Sequence, residues 1–130
     1  MKFSILVNAA PHSNEGGRSA YHFARATLAG GHEIYRIFFY HDGVLNANNL
    51  NQFAQDETDL QAQWVSLAQE HGFELAVCIA SALRRGVLDA SEADRYDKPA
   101  SNLQAAFTIV GLGQLVDAGL HSDRLVTFGN

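Results

Sequence analysis

The amino-acid sequence predicts a three-layer α/β fold, with helices packed on both faces of a mostly parallel sheet of about five strands. Three observations carry that expectation. Strand-like and helix-like segments alternate along the chain with short connections, the order that parallel sheets require. The strand-like segments are nearly continuous apolar runs, as expected for strands buried on both faces. Glycine and acidic residues punctuate the helix-like segments where helix ends are expected.

The first strand is Phe3 to Asn8, an apolar run bounded by polar loop residues. A loop from Ala9 to Gly17 leads into a helix over Arg18 to Ala29, where Ala20, Phe23, Ala24 and Leu28 follow helical spacing. Gly30-Gly31 tolerates the left-handed backbone of a helix stop. Glu33 to Tyr40, rich in aromatic and β-branched residues, is the second strand.

His41 to Asn51 reads as a polar loop. Asp56-Glu57-Thr58-Asp59 then places acids at a helix start, where they cap free N–H groups and meet the positive end of the helix dipole. That helix runs through Leu60, Trp64, Leu67 and Ala68 to Gly72. Leu75 to Ala80 is a third strand, followed by a helical turn over Ser81 to Arg85 and a short helix around Ser91 to Arg95. Phe107 to Val110 is a fourth strand. Gly111 to His121 reads as a helix packed through Leu112, Leu115, Val116 and Leu120, and Asp123 to Phe128 closes the chain as the last strand.

At 130 residues the chain is expected to form one domain, residues 1–130. The net charge of −5 offers no positive face for gripping a nucleic-acid backbone. Met1 to Val7 is too short for a signal-peptide core, and no run approaches the length of a membrane helix. The expectation is a cytoplasmic protein that contacts neither membrane nor nucleic acid. The single cysteine, Cys78, excludes an intrachain disulfide and a multi-thiolate zinc site.

Ligands and reactive groups in open parallel sheets gather beyond the carboxyl ends of the strands, and Cys78 lies near such an end. Helix N-termini and arginines such as Arg84 and Arg85 favour the thiolate, which is the nucleophile. The competing reading is that Cys78 is a small buried hydrophobe. A hydrolase-type pair needs a histidine within hydrogen-bond reach. His12 and His41 fall in loops that could share the crevice, whereas His32, His71 and His121 sit near helix ends. No histidines have the i, i+4 spacing of a metal site, and neither Asn8 to Gly17 nor Gly111-Leu112-Gly113 matches a nucleotide-binding motif. Val44 and Leu45 mark either an exposed interface loop or a loop folded back on its own sheet.

Several segments together resemble the DsrE/TusD family of sulfur-relay proteins over essentially the whole chain. They are Phe38-Phe39-Tyr40 with Asp42-Gly43-Val44, Asn46-Ala47-Asn48, Trp64, Cys78 with Ala82 to Val87, Ser101-Asn102-Leu103, Phe107, Gly111-Leu112-Gly113 and Asp123-Arg124. Asp94 to Ala100 departs from the glycine-rich pattern of that family. The resemblance implies a Rossmann-like fold and a sulfurtransferase that carries sulfane sulfur as a persulfide on Cys78, with no bound cofactor or metal.

The resemblance also implies partners. A TusD-type chain assembles with TusB- and TusC-like subunits and relays sulfur toward 2-thiolation of tRNA wobble uridine, between TusA-like and TusE/DsrC-like carriers. A DsrE-type chain assembles with DsrF- and DsrH-like subunits in sulfur oxidation. Asn46-Ala47-Asn48 and Ser81 to Val87 lean toward the TusD type. A non-catalytic structural subunit of such a complex is the alternative from another class.

Overall fold

The computed structural model describes residues 1–129. In chain order the elements are β1 (Lys2–Val7), α1 (Gly16–Ala29), β2 (Glu33–Phe39), a 3-10 helix (His41–Ala47), α2 (Leu60–His71), β3 (Glu74–Cys78), α3 (Ile79–Arg84), α4 (Ala90–Arg95), β4 (Phe107–Val110), α5 (Gly113–His121) and β5 (Arg124–Phe128). All five strands are parallel, in the order β4-β3-β2-β1-β5.

That order divides the helices between two faces. From β1 to β4 the chain steps steadily in one direction, so right-handed crossovers lay α1 and α2 on one face. The step from β4 to β5 runs back past β1, and the same handedness puts α5 on the other face. Strand residues alternate accordingly. Ile5, Val7, Ile37, Phe39, Leu75 and Val77 join the main core beneath α1 and α2, while Phe38, Ala76 and Cys78 form a second, smaller cluster with Leu115 of α5.

Trp64 anchors the larger core: it is fully buried and meets Tyr21 and Phe39 edge-on, with ring centroids 5.4 and 5.7 Å away. Asp59 caps α2 by accepting a hydrogen bond from the Ala62 N–H at 2.9 Å. Glu57 instead accepts from the Ala54 N–H in the turn before it, so Asp59 is the acid of that run whose side chain caps α2. Gly72 ends α2 with φ 76°.

Three sequence expectations are corrected. The segment after β2 is a 3-10 helix rather than an open loop; Val44 is fully buried in it and Leu45 packs on the core, so the loop folds back on its own sheet. β3 ends at Cys78, two residues before the expected Ala80, because α3 takes up Ile79 and Ala80. On α5, Leu115 is partly buried and Ala118 fully so, whereas Leu112, Val116 and Leu120 point outward, the last two 62% and 77% exposed. Of the four apolar positions at helical spacing, Leu115 meets the core and the other three lie on the outer face. Asp97 adopts φ 53° after α4, and the Lys98 N–H bonds to the Ala93 carbonyl at 2.8 Å. This is the left-handed helix stop that glycine commonly makes, and an aspartate tolerates it.

α5 is clamped to the sheet by a polar cluster. The register of β1 against β2 shifts between Phe3 and Ser4, leaving Tyr35 unpaired between Ile34 and Arg36. Both Tyr35 and Arg36 thereby reach α5. Arg36, nearly buried, pairs with Glu74 at 2.8 Å and with Asp117 at 2.9 Å, and donates to the Gln114 carbonyl. Tyr35 donates its hydroxyl to Asp117 at 2.7 Å, and the His121 ring stacks on Tyr35. Hydrogen bonds from Tyr35 and then Arg36 hold the Asp117 carboxyl below the usual carboxylate range, and the bond to Asp117 raises Tyr35.

Candidate functional site

Cys78 is the last residue of β3 and the N-cap of α3. It therefore sits at a strand carboxyl end, as the sequence implies, though two strands away from β1, where the strand order reverses. Its side chain points, with Ala76, to the face that α5 covers.

Its neighbours follow from register. Cys78 pairs directly with Val110 of β4. On the other side Phe39 pairs with Val77, so the next residue, Tyr40, stands level with Cys78 and on the same face as Phe38. Tyr40, Val110 and Leu115 all pack on the cluster that contains the thiol. The result is a cysteine only 1% exposed. Of the two readings the sequence leaves open, this burial is what a small buried hydrophobe has.

The two arginines lie elsewhere. Arg85 turns to the 3-10 helix, where its Nε donates to Asp42 at 2.9 Å, and its Nη1 donates to the Ser81 carbonyl at 3.2 Å. Arg84 is exposed at the end of α3. Neither guanidinium makes an interaction with Cys78.

The histidines form no catalytic pair with the cysteine. His12 is exposed, with its ring 4.7 Å from that of Phe53. His41 is exposed with its ring 4.1 Å from Tyr40, one residue along from the side chain that flanks the thiol. His32 meets the chain's amino group at 2.9 Å, and His121 binds Asp117. Among the described residues no group of His, Cys, Asp or Glu side chains is arranged to hold a metal ion.

Other residues hold the loops around the site; the sequence offered them only within the segments that carry the resemblance, with no structural role. Asn46, fully buried, donates to the carbonyls of Ala9 and Gly43 at 3.0 and 2.8 Å. Asn102 donates to the Gly86 carbonyl and accepts from the Leu88 N–H, tying the turn after α3 to the strand-like segment before β4. Gly43 lies so close to β1 that a Cβ would fall 1.9 Å from the Val7 carbonyl oxygen. Ser81 accepts from the His41 N–H at 3.0 Å, joining the end of β2 to the helix that follows Cys78. Their signal in the sequence is residue type alone: asparagine, glycine and serine commonly bond to nearby backbone or sit in turns.

A separate cleft of about 590 Å³ opens between Leu83, Gly86, Leu88, Tyr96 and Lys98. None of the side chains beside Cys78 lines it.

Chemically, the arrangement offers one sulfur nucleophile in an apolar, water-poor seat. Among the described residues no histidine is paired with the thiol. Such a seat suits a group that must hold a reactive sulfur away from water.

Comparison with known proteins places this geometry among relatives. Residues 1–128 match the model of the DsrE/DsrF-like family. The chain is 52% identical over 129 residues to the sulfurtransferase TusD homolog of Pseudomonas aeruginosa, covering 99% of this chain and 98% of that one. It is 50% identical over 128 residues to the sulfurtransferase TusD of Serratia proteamaculans, covering 98% and 99%. With the DsrE protein of Allochromatium vinosum it shares 46% over 130 residues, the whole of both chains. The crystal structure of the YchN protein of E. coli, 20% identical, superposes with a TM-score of 0.76 over 98% of this chain and 99% of that one, and shares the fold.

Proposed function

The chain belongs to the DsrE/DsrF-like family, and from that premise we propose that it is a sulfur-relay sulfurtransferase that carries sulfane sulfur as a persulfide on Cys78. The observation that carries the reading is identity of 50% or more, over nearly the whole chain, to two proteins named sulfurtransferase TusD, in a chain with one thiol.

The chemistry is thiol–disulfide exchange applied to a persulfide. The Cys78 thiolate attacks the outer sulfur of a donor R–S–SH. A new S–S bond forms at Cys78 as the donor's S–S bond breaks, and its electron pair leaves with the donor as R–S⁻. That thiolate takes up the proton Cys78 released on ionising, giving R–SH and Cys78–S–SH. No external oxidant is consumed. An acceptor thiolate then removes the outer sulfur by the same displacement. A second cysteine in this chain would attack the persulfide and release the sulfur as sulfide, so a single thiol suits the task.

Membership of sulfur-relay complexes follows from the family. In our reading the partners are TusB- and TusC-like subunits, with TusA-like and TusE/DsrC-like carriers, in a pathway ending in 2-thiolation of tRNA wobble uridine. The exposed Leu112, Val116 and Leu120 on α5 are apolar surface of the kind subunits cover. The chain itself does not grip tRNA, in keeping with its net charge of −5. It acts in the cytoplasm; no helix among the described residues is long and apolar enough to cross a membrane. Higher identity to the TusD relatives than to the DsrE protein favours tRNA thiolation over sulfur oxidation with DsrF- and DsrH-like subunits.

Intact-mass measurement after incubation with glutathione persulfide tests the carrier reading. Wild-type chain gains one sulfur atom and Cys78→Ser gains none. A wild type that stays unloaded, or a variant that loads equally, overturns it.

A further inference from the structure

Cys78 is 1% exposed, so any donor must first displace one of the side chains that cover it. We propose that Tyr40 is the residue that controls access to Cys78, and that the His41 ring is its latch. This rests on Cys78 being the sulfur carrier.

Four side chains pack on the thiol's cluster, and they differ in what holds them. Leu6 belongs to β1 and pairs with Phe38 of β2, a strand away from the one that carries the thiol. Val110 belongs to β4 and is paired with Cys78 in the ladder, so moving it means parting the strands that carry the thiol. Leu115 belongs to α5, which is held to the sheet by the pairing of Arg36 with Asp117, by Tyr35 on Asp117 and by the Arg36 bond to the Gln114 carbonyl. Lifting α5 would strip a nearly buried guanidinium of partners, a costly step. Tyr40 is different. Its backbone is fixed, with its N–H on the Val7 carbonyl at 3.0 Å and its own carbonyl accepting from Gly43 at 2.8 Å. Its side chain is half-buried and rests against rings, those of His41 at 4.1 Å and Phe38 at 6.2 Å. Rotation about its side-chain bonds uncovers the thiol without disturbing a strand or a helix.

His41 is placed for the latch by an unusual backbone. Its φ of 48° lies in the left-handed region, uncommon for a residue with a side chain. The Ser81 hydroxyl holds that corner by accepting the His41 N–H at 3.0 Å, and Ser81 itself is only 4% exposed. That corner places the exposed imidazole against the Tyr40 ring, with centroids 4.1 Å apart. A docking partner therefore meets His41 before the thiol is open, and engaging that ring frees Tyr40 to swing. Donors that cannot reach His41 find the cysteine closed, which makes the pair a specificity filter for large donors.

The test is the alkylation rate of Cys78 by iodoacetamide and by a bulkier maleimide, in the folded chain, for wild type, Tyr40→Phe, Tyr40→Ala, His41→Gly and Leu115→Ala. Glycine at 41 removes the latch while accepting the positive φ, so this variant reads the proposal even where Tyr40→Ala fails to fold. Tyr40→Phe reacts like wild type, because the ring is the cover. His41→Gly and Tyr40→Ala react faster by about tenfold, the factor expected when an aromatic contact no longer holds the closed state. The maleimide gains more than iodoacetamide. Unchanged rates in both variants, or a larger gain in Leu115→Ala than in either, overturn the proposal. Alkylation needs no sulfur donor, so failure of wild-type chain to load sulfur would strike the carrier reading separately.

Discussion

Replacing Gly43 with alanine probes how the 3-10 helix holds the site together. The added methyl would lie 1.9 Å from the Val7 carbonyl oxygen and 2.8 Å from its carbon, both backbone atoms that cannot rotate away. The 3-10 helix must therefore back off from the end of β1. That shift loosens the Tyr40 N–H bond to the Val7 carbonyl and the Asn46 bond to the Gly43 carbonyl, at 3.0 and 2.8 Å. Overpacking costs about 1–3 kcal/mol and a lost buried hydrogen bond about 1 kcal/mol more, so Gly43→Ala is expected to destabilise by about 2–4 kcal/mol. With a urea m-value of about 2 kcal/mol/M the midpoint falls by about 1–2 M. Urea titration followed by circular dichroism measures it. The control is Gly111→Ala, where a Cβ meets nothing within 4 Å. If the two variants unfold at the same urea concentration, the close approach of the 3-10 helix to β1 is wrong.

Other outcomes follow from the same packing. Trp64→Ala costs about 3–5 kcal/mol, whereas Trp64→Phe costs about 1 kcal/mol or less, because the buried indole N–H has no partner among the described residues and its removal offsets lost contact; thermal melts of the two variants read the difference. Asp117 has a folded pKa held below its usual value, so its contribution is present above the unfolded pKa and is lost as pH falls through the folded one. Stability of wild type therefore declines on acidification below about pH 4, and Asp117→Asn shows a shallower decline over that window, followed by urea midpoints against pH. Cys78→Ser keeps its fold, since serine is a preferred N-cap and offsets the lost apolar contact; a urea midpoint lowered by more than about 1 M would contradict that.

Much of the fold was legible because burial on both faces leaves a plain mark. Phe107 to Val110 and the run from Glu33 are too apolar for loops, and the helices between them fix a parallel sheet. What escaped depends on three-dimensional placement. Leu112, Val116 and Leu120 have the spacing of a core face, yet which side of a helix meets the sheet is decided by its partners, here Arg36 and Tyr35 gripping Asp117. The position of Cys78 at a strand end was readable, but its burial was not. Burial depends on register, which sets Tyr40 and Val110 beside it from strands 38 and 32 residues away in sequence, and on α5 folding over the top. The structural roles of Ser81 and Asn46 escaped because their partners are backbone groups brought close by the fold.

The central claim is that Cys78 receives a sulfur atom and gives it up again. Radiolabelled sulfur loaded onto the chain from a persulfide donor, then chased with the thiol-bearing acceptor protein of the relay, tests it most directly. The account predicts that label enters wild type at one atom per chain, stays through buffer exchange, and moves to the acceptor as free Cys78 returns, while Cys78→Ser neither gains nor passes label. Label that reaches the acceptor equally well through Cys78→Ser, or that never leaves Cys78, would contradict it.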